Sequence, residues 1–442
     1  MGILSRIFDP NPSAEQPDIH FGRFSGKTKT DTRYDEWDKA VEKFEAQSYC
    51  TSVCHILEYL TNEPEKNVQY DCKDETVSFQ LLQGSKKITG YADQVQIRAI
   101  AKIARVAGSP EIGFMRRLLE SNYQLKYGRY CLDDEGDIAI MFDSNLADAS
   151  PYKVFYGLKE IALAADKHDD LLVEEFSGLS PINVGHIIPL PANLRAVKLA
   201  YIQETLQGTL HEIDHGKLNP IQYPGGITYL LLNAIYKLDF LVRPEGQTME
   251  TIERMHRFYF ENSGLNNVQK NHRLIKELKL LLSRPSDKIE SEMYRTTSTF
   301  SVVSTANHPK LRDIIQGEIH NMDWYFEKRH FSVALAIPGY IVGHALFSFG
   351  LPDLDKSLLL LYYQIVEHEY FRDLGFKYPY LSADGKLDQR SIMKAIAAIK
   401  DAHLDAHPFL VPNTKLLIFD HMVLFAKSYL IMISNLNLSK TP

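Results

Sequence analysis

Residues 128–146, GRYCLDDEGDIAIMFDSNL, decide the fold class of this chain. Two runs of strand-forming residues flank the acidic tetrapeptide DDEG at 133–136. Such a turn suits a hairpin, because its glycine accepts the positive φ that the backbone needs there. The stretch therefore predicts two antiparallel strands joined by a tight turn.

Predicted helices flank this hairpin, and predicted strands precede it. One helix runs to about Asn122, and a long one begins after Ser150-Pro151, where serine caps the helix and proline takes its first position. An amphipathic helix is predicted within residues 34–60. Alternating apolar residues predict three further strands, at 68–72, 77–81 and 95–103. This order predicts an α+β module over 34–177 with a five-stranded antiparallel sheet.

The same element order resembles that of the YbjN family and of the related type III secretion chaperones of the CesT type. In those folds an aromatic strand, an acidic turn, an apolar strand and a long helix recur. Here the hairpin is followed by YKVFYGLKEIALAADKHDDLL at 152–172. The resemblance covers about residues 34–177. It implies a sheet-and-helix module that binds other polypeptides, often as a dimer, and it implies no catalytic chemistry.

The C-terminal part reads as a second, degenerate copy at about 290–375. HPKLRDIIQGEIH at 308–320 aligns with SPEIGFMRRLLES at 109–121. HFSVALAIPGYIVGHALFSFGLP at 330–352 is long and uncharged enough for a membrane span. Its alternation around Pro338-Gly339 favours a second hairpin. The pattern therefore predicts two antiparallel sheet-plus-helix modules of the helix–β3–helix–β2–helix type, related by a pseudo-repeat.

The remaining segments complete a three-part organisation. Residues 191–286 are predicted to be helical and to join the two modules. Residues 290–442 are predicted to form the second module with a helical C-terminal tail. A chain of 442 residues exceeds the size of a single core, which agrees with this division.

Composition excludes several classes of partner. The net charge is −7 and the charges are interleaved, so no basic face is available for nucleic acid or an anionic membrane. The 4 cysteines are too few for a disulfide scaffold. They suit a reducing compartment, so a cytoplasmic location is predicted.

One pentapeptide carries a metal-binding pattern. His211 and His215 lie one helical turn apart in HEIDH and could bind zinc, with Glu212 as general base. The pentapeptide resembles the zinc helix of peptide deformylase. However, Gly216-Lys217 stands where that family has leucine, and the family's glycine-rich substrate loop is missing. A partly solvated helix face is the preferred interpretation, and a zinc-dependent hydrolase is the alternative.

The predicted function is a non-catalytic, protein-binding or chaperone-like module without a cofactor. Its partner is expected to be another polypeptide, and the chain is expected to be a monomer or a weak homodimer. The chain contains 24 Tyr and 22 Phe, and tyrosine provides contact area at low entropy cost. The predicted binding residues beside the two hairpins are Tyr127, Tyr130, Trp324 and Tyr325; packing in the core is the alternative for them.

Overall fold

The computed structural model describes residues 17–23, 31–73, 75–106, 112–182, 185–377, 380–382 and 384–438. It is 58% helical and 15% strand with antiparallel sheets, so the predicted α+β class is confirmed. Contacts divide the chain into two units. The sheet unit comprises Thr28–Pro189 and Tyr294–Val302. The helical unit comprises Met1–Lys27, Leu190–Met293 and Val303–Pro442.

The sheet unit is built from one antiparallel sheet and the helices around it. Its helices are α1 (Asp31–Glu45), α2 (Tyr49–Leu60), α3 (Ile112–Gln124) and α4 (Pro151–Glu175). Its strands are β1 (Val68–Lys73), β2 (Thr76–Gly84), β3 (Lys86–Ala92), β4 (Gln96–Val106), β5 (Gly128–Leu132), β6 (Ile138–Asn145), β7 (Leu179–Pro181), β8 (Ile188–Pro189), β9 (Tyr294–Arg295) and β10 (Thr297–Ser298).

The strand order is β1-β2-β3-β4-β6-β5, with β10 paired to β2 and β7 paired to β4. Strands β8 and β9 form a separate two-stranded pair. A disulfide between Cys54 and Cys72 ties α2 to β1. Helix α4 begins as predicted, since the Ser150 side chain accepts a hydrogen bond from Lys153 N and Pro151 follows. It packs across β4 and β6 and covers one face of the sheet.

The predicted hairpin is confirmed as β5 and β6. Leu132 pairs with Ile138 and Gly128 with Phe142, so the DDEG turn closes the hairpin. Gly136 has a φ of +79°, the conformation for which the turn needs glycine. Local turn chemistry was therefore sufficient to locate this element.

The predicted number of strands was wrong, because the sequence pattern did not reveal β3 or the short strands β7 and β10, which also pair with this sheet. The longest of the three is β3. This strand reads KKITGYA, and its two lysines and its glycine hide the alternation. The inward-facing positions are Lys86, Ile88 and Ala92, which are all buried. A lysine at an inward position breaks the apolar pattern by which strands are recognised. The first predicted helix is likewise two helices, α1 and α2, with Gln47 at a φ of +60° between them.

The helical unit consists of helices and one short pair of strands among its described residues. Its longer helices are α5 (Ala192–His215), α6 (Pro224–Lys237), α7 (Gly246–Phe260), α8 (Asn267–Leu282), α10 (His308–Glu318), α12 (Phe331–Ser348), α13 (Asp353–Val366), α15 (Gln389–Ala402) and α16 (Met422–Ser434). The shorter helices are α9 (Ser286–Ser291), α11 (Met322–Glu327) and α14 (His368–Asp373). Strands β11 (Ser304–Thr305) and β12 (Phe349–Gly350) form a short parallel pair.

The prediction of a second hairpin is wrong, and the predicted pseudo-repeat, which depended on that hairpin, is wrong as well. Residues that were expected to form two strands around Pro338-Gly339 form the single helix α12. All sides of α12 are buried along residues 336–343, which are consecutive and every one of them buried, so its apolar residues carry no helical periodicity. Without that periodicity, a short-range alternation of large and small residues looks like a strand. The C-terminal region is therefore not a second sheet-plus-helix module.

Two helices of this unit are long and apolar enough to cross a membrane. They are Pro224–Val242 and Phe331–Ser348. Within each, most of the apolar window is buried inside the fold, at 72% and 61%. The helices of a protein core are buried by the surrounding protein in this way. The two segments are therefore interpreted as core helices.

Candidate functional site

The HEIDH pentapeptide lies at the end of α5. His211 and His215 are exposed and their ring centroids are 4.8 Å apart, while Ile213 is buried. Three convergent ligands are the minimum for a zinc site. Among the described residues, no such group of His, Cys, Asp or Glu side chains includes these histidines. The zinc site with Glu212 as general base therefore stays a prediction.

The acidic hairpin turn does bring three carboxylates together, at Asp133, Glu135 and Asp137. Two cations pair with them: the Lys102 ammonium lies 2.8 Å from an Asp133 oxygen and 2.9 Å from a Glu135 oxygen, and the Arg105 guanidinium lies 3.1 Å from an Asp137 oxygen. Burial opposes ionisation of Asp133, but hydrogen bonds from Lys102 and from backbone N–H groups keep its pKa below the ordinary value. The cluster thus joins β4 to the turn.

Of the predicted binding residues, Tyr130 belongs to the core. It is only 7% exposed, and its hydroxyl is hydrogen-bonded to His168. Its backbone N–H donates to the Asn122 side chain at 2.7 Å, which ties β5 to the end of α3. An interface residue must be accessible, so the prediction for Tyr130 is wrong.

Tyr127, by contrast, is exposed in a loop whose position is fixed. The carboxylate of Glu160 on α4 accepts hydrogen bonds from three successive amides, those of Lys126, Tyr127 and Gly128, at 2.8, 2.7 and 2.8 Å. Charge-assisted bonds of this kind are the stronger class. The Tyr127 side chain is therefore presented to solvent from a rigid loop.

Helix α3, which precedes this loop, presents an uncovered apolar face. Its inner side is anchored by Phe114, whose ring contacts Phe176 at a centroid distance of 5.4 Å. Along its outer side four apolar side chains are between 45% and 94% exposed. These four residues are Ile112, Met115, Leu119 and Tyr123, and they are called the α3 face below. Their spacing of three and four residues places them in one stripe.

Strand β5 lies next to α3 at the end of the sheet. Among the described strands it pairs only with β6, but its outer edge is already occupied in part, because the amides of Gly128 and Tyr130 donate to the side chains of Glu160 and Asn122. Leu132, at the end of this strand, is exposed. The apolar helix face, and not the strand edge, is therefore the feature that a polypeptide ligand can use. The sequence reading missed the α3 face, because its spacing equally fits a stripe that packs in the core.

Trp324 and Tyr325 lie in the helical unit, on α11, and not beside a hairpin. They line a concavity of about 450 Å³ whose other lining residues are Tyr223, Tyr229, His320 and Asn321. This group is called the aromatic pocket below. The Trp324 ring lies 4.9 Å from that of Tyr223 and 5.0 Å from that of Tyr325. Both residues are therefore at a concave surface, as a binding role would require.

A larger groove of about 690 Å³ in the same unit is lined by residues of α5 and α14. At its base Glu367 accepts hydrogen bonds from the Tyr201 hydroxyl at 2.9 Å and from the Lys237 ammonium at 3.1 Å. Burial, together with Glu367, raises the pKa of Tyr201, which keeps the phenol protonated. The hydrogen-bonding groups of Tyr201, Lys237 and Glu367 are bonded to one another. These residues therefore provide no activated nucleophile in the groove.

A buried polar cluster, also missed from the sequence, surrounds the end of α6. The backbone widens into a π-helix over Leu238–Val242, a feature that often accompanies functional sites. Asp239 in this turn accepts a hydrogen bond from Arg23 at 2.6 Å, and Arg23 also bonds to Glu253 at 2.5 Å. Nearby, the Tyr236 hydroxyl is hydrogen-bonded to His256 at 2.7 Å. The cluster is internally paired and is interpreted as structural.

This cluster predicts acid sensitivity of the helical unit. Burial lowers the pKa of His256 and of His344 from 6.5 to about 4. An unfolded histidine binds a proton near pH 6.5, so the stability from these neutral rings is present above that pH. It is lost as the pH falls from 6.5 towards 4. We expect the melting temperature to fall over this window, and to fall less steeply in His344→Phe, which keeps an aromatic ring.

Circular-dichroism melting at stepwise lower pH checks this expectation. His211→Phe, which removes an exposed histidine, is the control and should melt with the slope of the unaltered chain. An unchanged slope in His344→Phe would contradict a role for this ring.

The chain matches no family model, and no curated protein or solved structure matches it. The likeness to the YbjN family and the secretion chaperones is therefore a proposal that rests on element order alone.

Proposed function

We propose that this chain is a non-catalytic, chaperone-like module that binds a segment of another polypeptide on the α3 face. The observation that carries the proposal is the α3 face itself, which is a stripe of apolar side chains without a cover among the described residues. Scattered exposed apolar residues are normal, but a contiguous apolar surface usually marks an interaction site.

The energetics favour an amphipathic or extended polypeptide as the ligand. Burying one large apolar side chain contributes on the order of 1.5–3 kcal/mol, so the four members of the face can offset a substantial cost of association. Nucleic acid and membrane lipid are disfavoured as partners, because the net charge of −7 attracts neither phosphate nor an anionic headgroup.

Site-specific photo-cross-linking in the native cell tests this proposal. A benzophenone amino acid at Leu119, which is 69% exposed, should cross-link to a distinct polypeptide that mass spectrometry can identify. The matched control is Val95, an apolar residue of the same unit that is 68% exposed and lies outside the α3 face. Equal yields at both positions, or cross-links only to a second copy of this chain, would contradict the proposal.

Substitution gives an independent measure of the same surface. Leu119→Ser combined with Tyr123→Ser should abolish capture of the identified polypeptide. It should change the free energy of unfolding by less than about 0.5 kcal/mol, as surface substitutions usually do. Val95→Ser should leave capture unchanged. Loss of capture together with loss of folding would remove the α3 face as the explanation.

Elemental analysis separates this proposal from the alternative, a zinc-dependent hydrolase that uses His211, Glu212 and His215. Stoichiometric zinc that is lost in His211→Ala would overturn the non-catalytic proposal. A folded chain with substoichiometric zinc that still captures its partner would support it.

The proposed location is the cytoplasm, whereas the Cys54–Cys72 disulfide favours an oxidising compartment, so the redox state of this pair decides between the two. Disulfides persist in oxidising compartments and are rare in the cytosol. Cys54 and Cys72 form the bond, while Cys50 and Cys131 are free. Cells are lysed directly into denaturant that contains a thiol-alkylating reagent. If the protein is cytoplasmic and reduced, all 4 cysteines should be modified. Protection of Cys54 and Cys72 would instead indicate an oxidising compartment.

A further inference from the structure

The aromatic pocket of the helical unit has the geometry of a small cage. Trp324 and Tyr325 meet at an interplanar angle of 88°, so they form two perpendicular walls. The Tyr223 ring lies against Trp324 and extends this wall. Tyr325 packs tightly on α6, because a Cβ atom at Gly226 would lie 3.0 Å from the Tyr325 ring. The walls are therefore held in place by the backbone beneath them.

The fourth ring is oriented by hydrogen bonds. The Tyr229 hydroxyl donates to the Glu318 carboxylate at 2.5 Å and accepts from the Asn321 amide at 2.8 Å. Asn321 also donates to Glu318 at 3.0 Å. This network leaves the ring of Tyr229 no freedom to turn away from the pocket, and it brings a carboxylate to the pocket's edge.

That carboxylate has no cationic partner in the described part of the chain. Glu318 receives hydrogen bonds only from neutral groups there, the Tyr229 hydroxyl and the Asn321 amide. Aromatic faces are themselves electron-rich. A carboxylate that is bonded to two of the pocket's lining residues, Tyr229 and Asn321, together with the ring faces makes the pocket electronegative, although the polar groups that line it are few.

We propose that the aromatic pocket binds a methylated ammonium cation. Methyl groups spread the positive charge and remove N–H donors, so such a cation gives up little hydration on entering a site with few acceptors. Aromatic side chains around a quaternary ammonium are the typical arrangement for its recognition. The Glu318 carboxylate supplies long-range charge complementarity. The site is separate from the α3 face, so this inference does not depend on the proposed protein-binding function.

The two tryptophans make binding directly measurable. Trp37 and Trp324 are the only tryptophans among the 442 residues. In a Trp37→Phe background of the full chain, Trp324 is the sole indole and its fluorescence reports on the pocket. Choline is titrated against 3,3-dimethylbutan-1-ol, its uncharged isostere. We expect choline to change the fluorescence saturably and the neutral isostere to bind about tenfold more weakly or worse.

Variants distinguish a cage from a merely apolar pocket. Glu318→Gln keeps the hydrogen bonds and removes the charge, and it should weaken choline binding without affecting the isostere. Tyr223→Ala should weaken choline binding by about tenfold. Phe409→Ala is the matched control, because Phe409 is an aromatic residue as exposed as Trp324, at 38%, outside the pocket. Equal affinity for choline and the isostere, or choline binding unaffected by Tyr223→Ala, would overturn the proposal.

The same titration identifies the source of the cation. One arm uses free choline, and the other uses a short peptide with trimethyllysine beside its unmodified counterpart. Saturable binding in either arm supports the proposal, and the tighter arm assigns the source as a small molecule or a modified protein. No saturable response in either arm would contradict it.

Discussion

Replacement of Lys86 by methionine is expected to destabilise the sheet unit by about 3–5 kcal/mol. The ammonium is only 2% exposed and lies 2.9 Å from a carboxylate oxygen of Asp169 on α4. It also donates to the carbonyl of Ile103 at 3.2 Å. Methionine fills a similar volume but removes the ammonium that pairs with the Asp169 carboxylate in the interior. Removing one partner of a buried ion pair is among the most destabilising changes that a single substitution can make.

Urea unfolding in a Trp324→Phe background, where Trp37 is the sole indole, measures this loss by fluorescence. Trp37 reports on the sheet unit, since its ring packs against Tyr59 and Tyr152. The double variant Lys86→Met, Asp169→Leu removes both charges and should recover most of the stability, because a well-packed apolar pair often replaces a buried ion pair at no cost.

A matched control makes the same substitution at a more exposed ion pair of the sheet. Lys102→Met removes the cation from the acidic turn, where its side chain is about a third exposed, so the loss should stay below about 1 kcal/mol. Equal losses for Lys86→Met and Lys102→Met would show that burial of the Lys86 pair has no energetic consequence.

Tyr130→Ala is expected to cost about 3–5 kcal/mol of stability, the range for truncating a large buried aromatic residue. The substitution empties a core position on β5 and removes the hydroxyl that is bonded to His168 on α4. Tyr130→Phe keeps the ring and should cost only about 1 kcal/mol, the typical contribution of one hydrogen bond. Urea unfolding by Trp37 fluorescence applies here as well.

The neighbouring residue provides the contrast. Tyr127→Ala, three positions earlier, removes an exposed ring, so its effect on stability should be within about 0.5 kcal/mol. Comparable losses for the two alanine variants would contradict the assignment of Tyr130 to the core and Tyr127 to the surface.

The sequence was informative where local chemistry decides the structure. The hairpin at 128–146 follows from its glycine turn, and the start of α4 follows from Ser150 and Pro151. Prediction failed where tertiary contacts override the local pattern. Lys86 occupies an inward position that groups distant in sequence make tolerable, namely the Asp169 carboxylate and the Ile103 carbonyl. Helix α12 is surrounded by protein, so it has no polar face from which its periodicity could be recognised.

The candidate binding surfaces show the same limit. An apolar stripe such as the α3 face signals burial in most helices, and only the arrangement of the rest of the unit leaves it uncovered. Tyr127 and Tyr130 are alike in the sequence, yet the two-residue period of a strand and the position of α4 separate them into surface and core. The pairing of Trp324 with Tyr223, a hundred residues earlier in the chain, could not be read from local patterns at all.

The order in which the chain leaves the ribosome has a consequence for the sheet unit. Residues 294–302 belong to this unit, although the rest of it ends at Pro189. Thr299 and Phe300 donate their backbone N–H groups to the Gln83 side chain at 3.2 and 2.9 Å, and the buried Phe300 ring packs on Phe155. At about 5–20 residues per second, synthesis reaches these residues roughly 5–20 s after Pro189. During that interval the nascent sheet lacks part of its core, so the partner that we propose for the α3 face has access to this helix before the unit is complete.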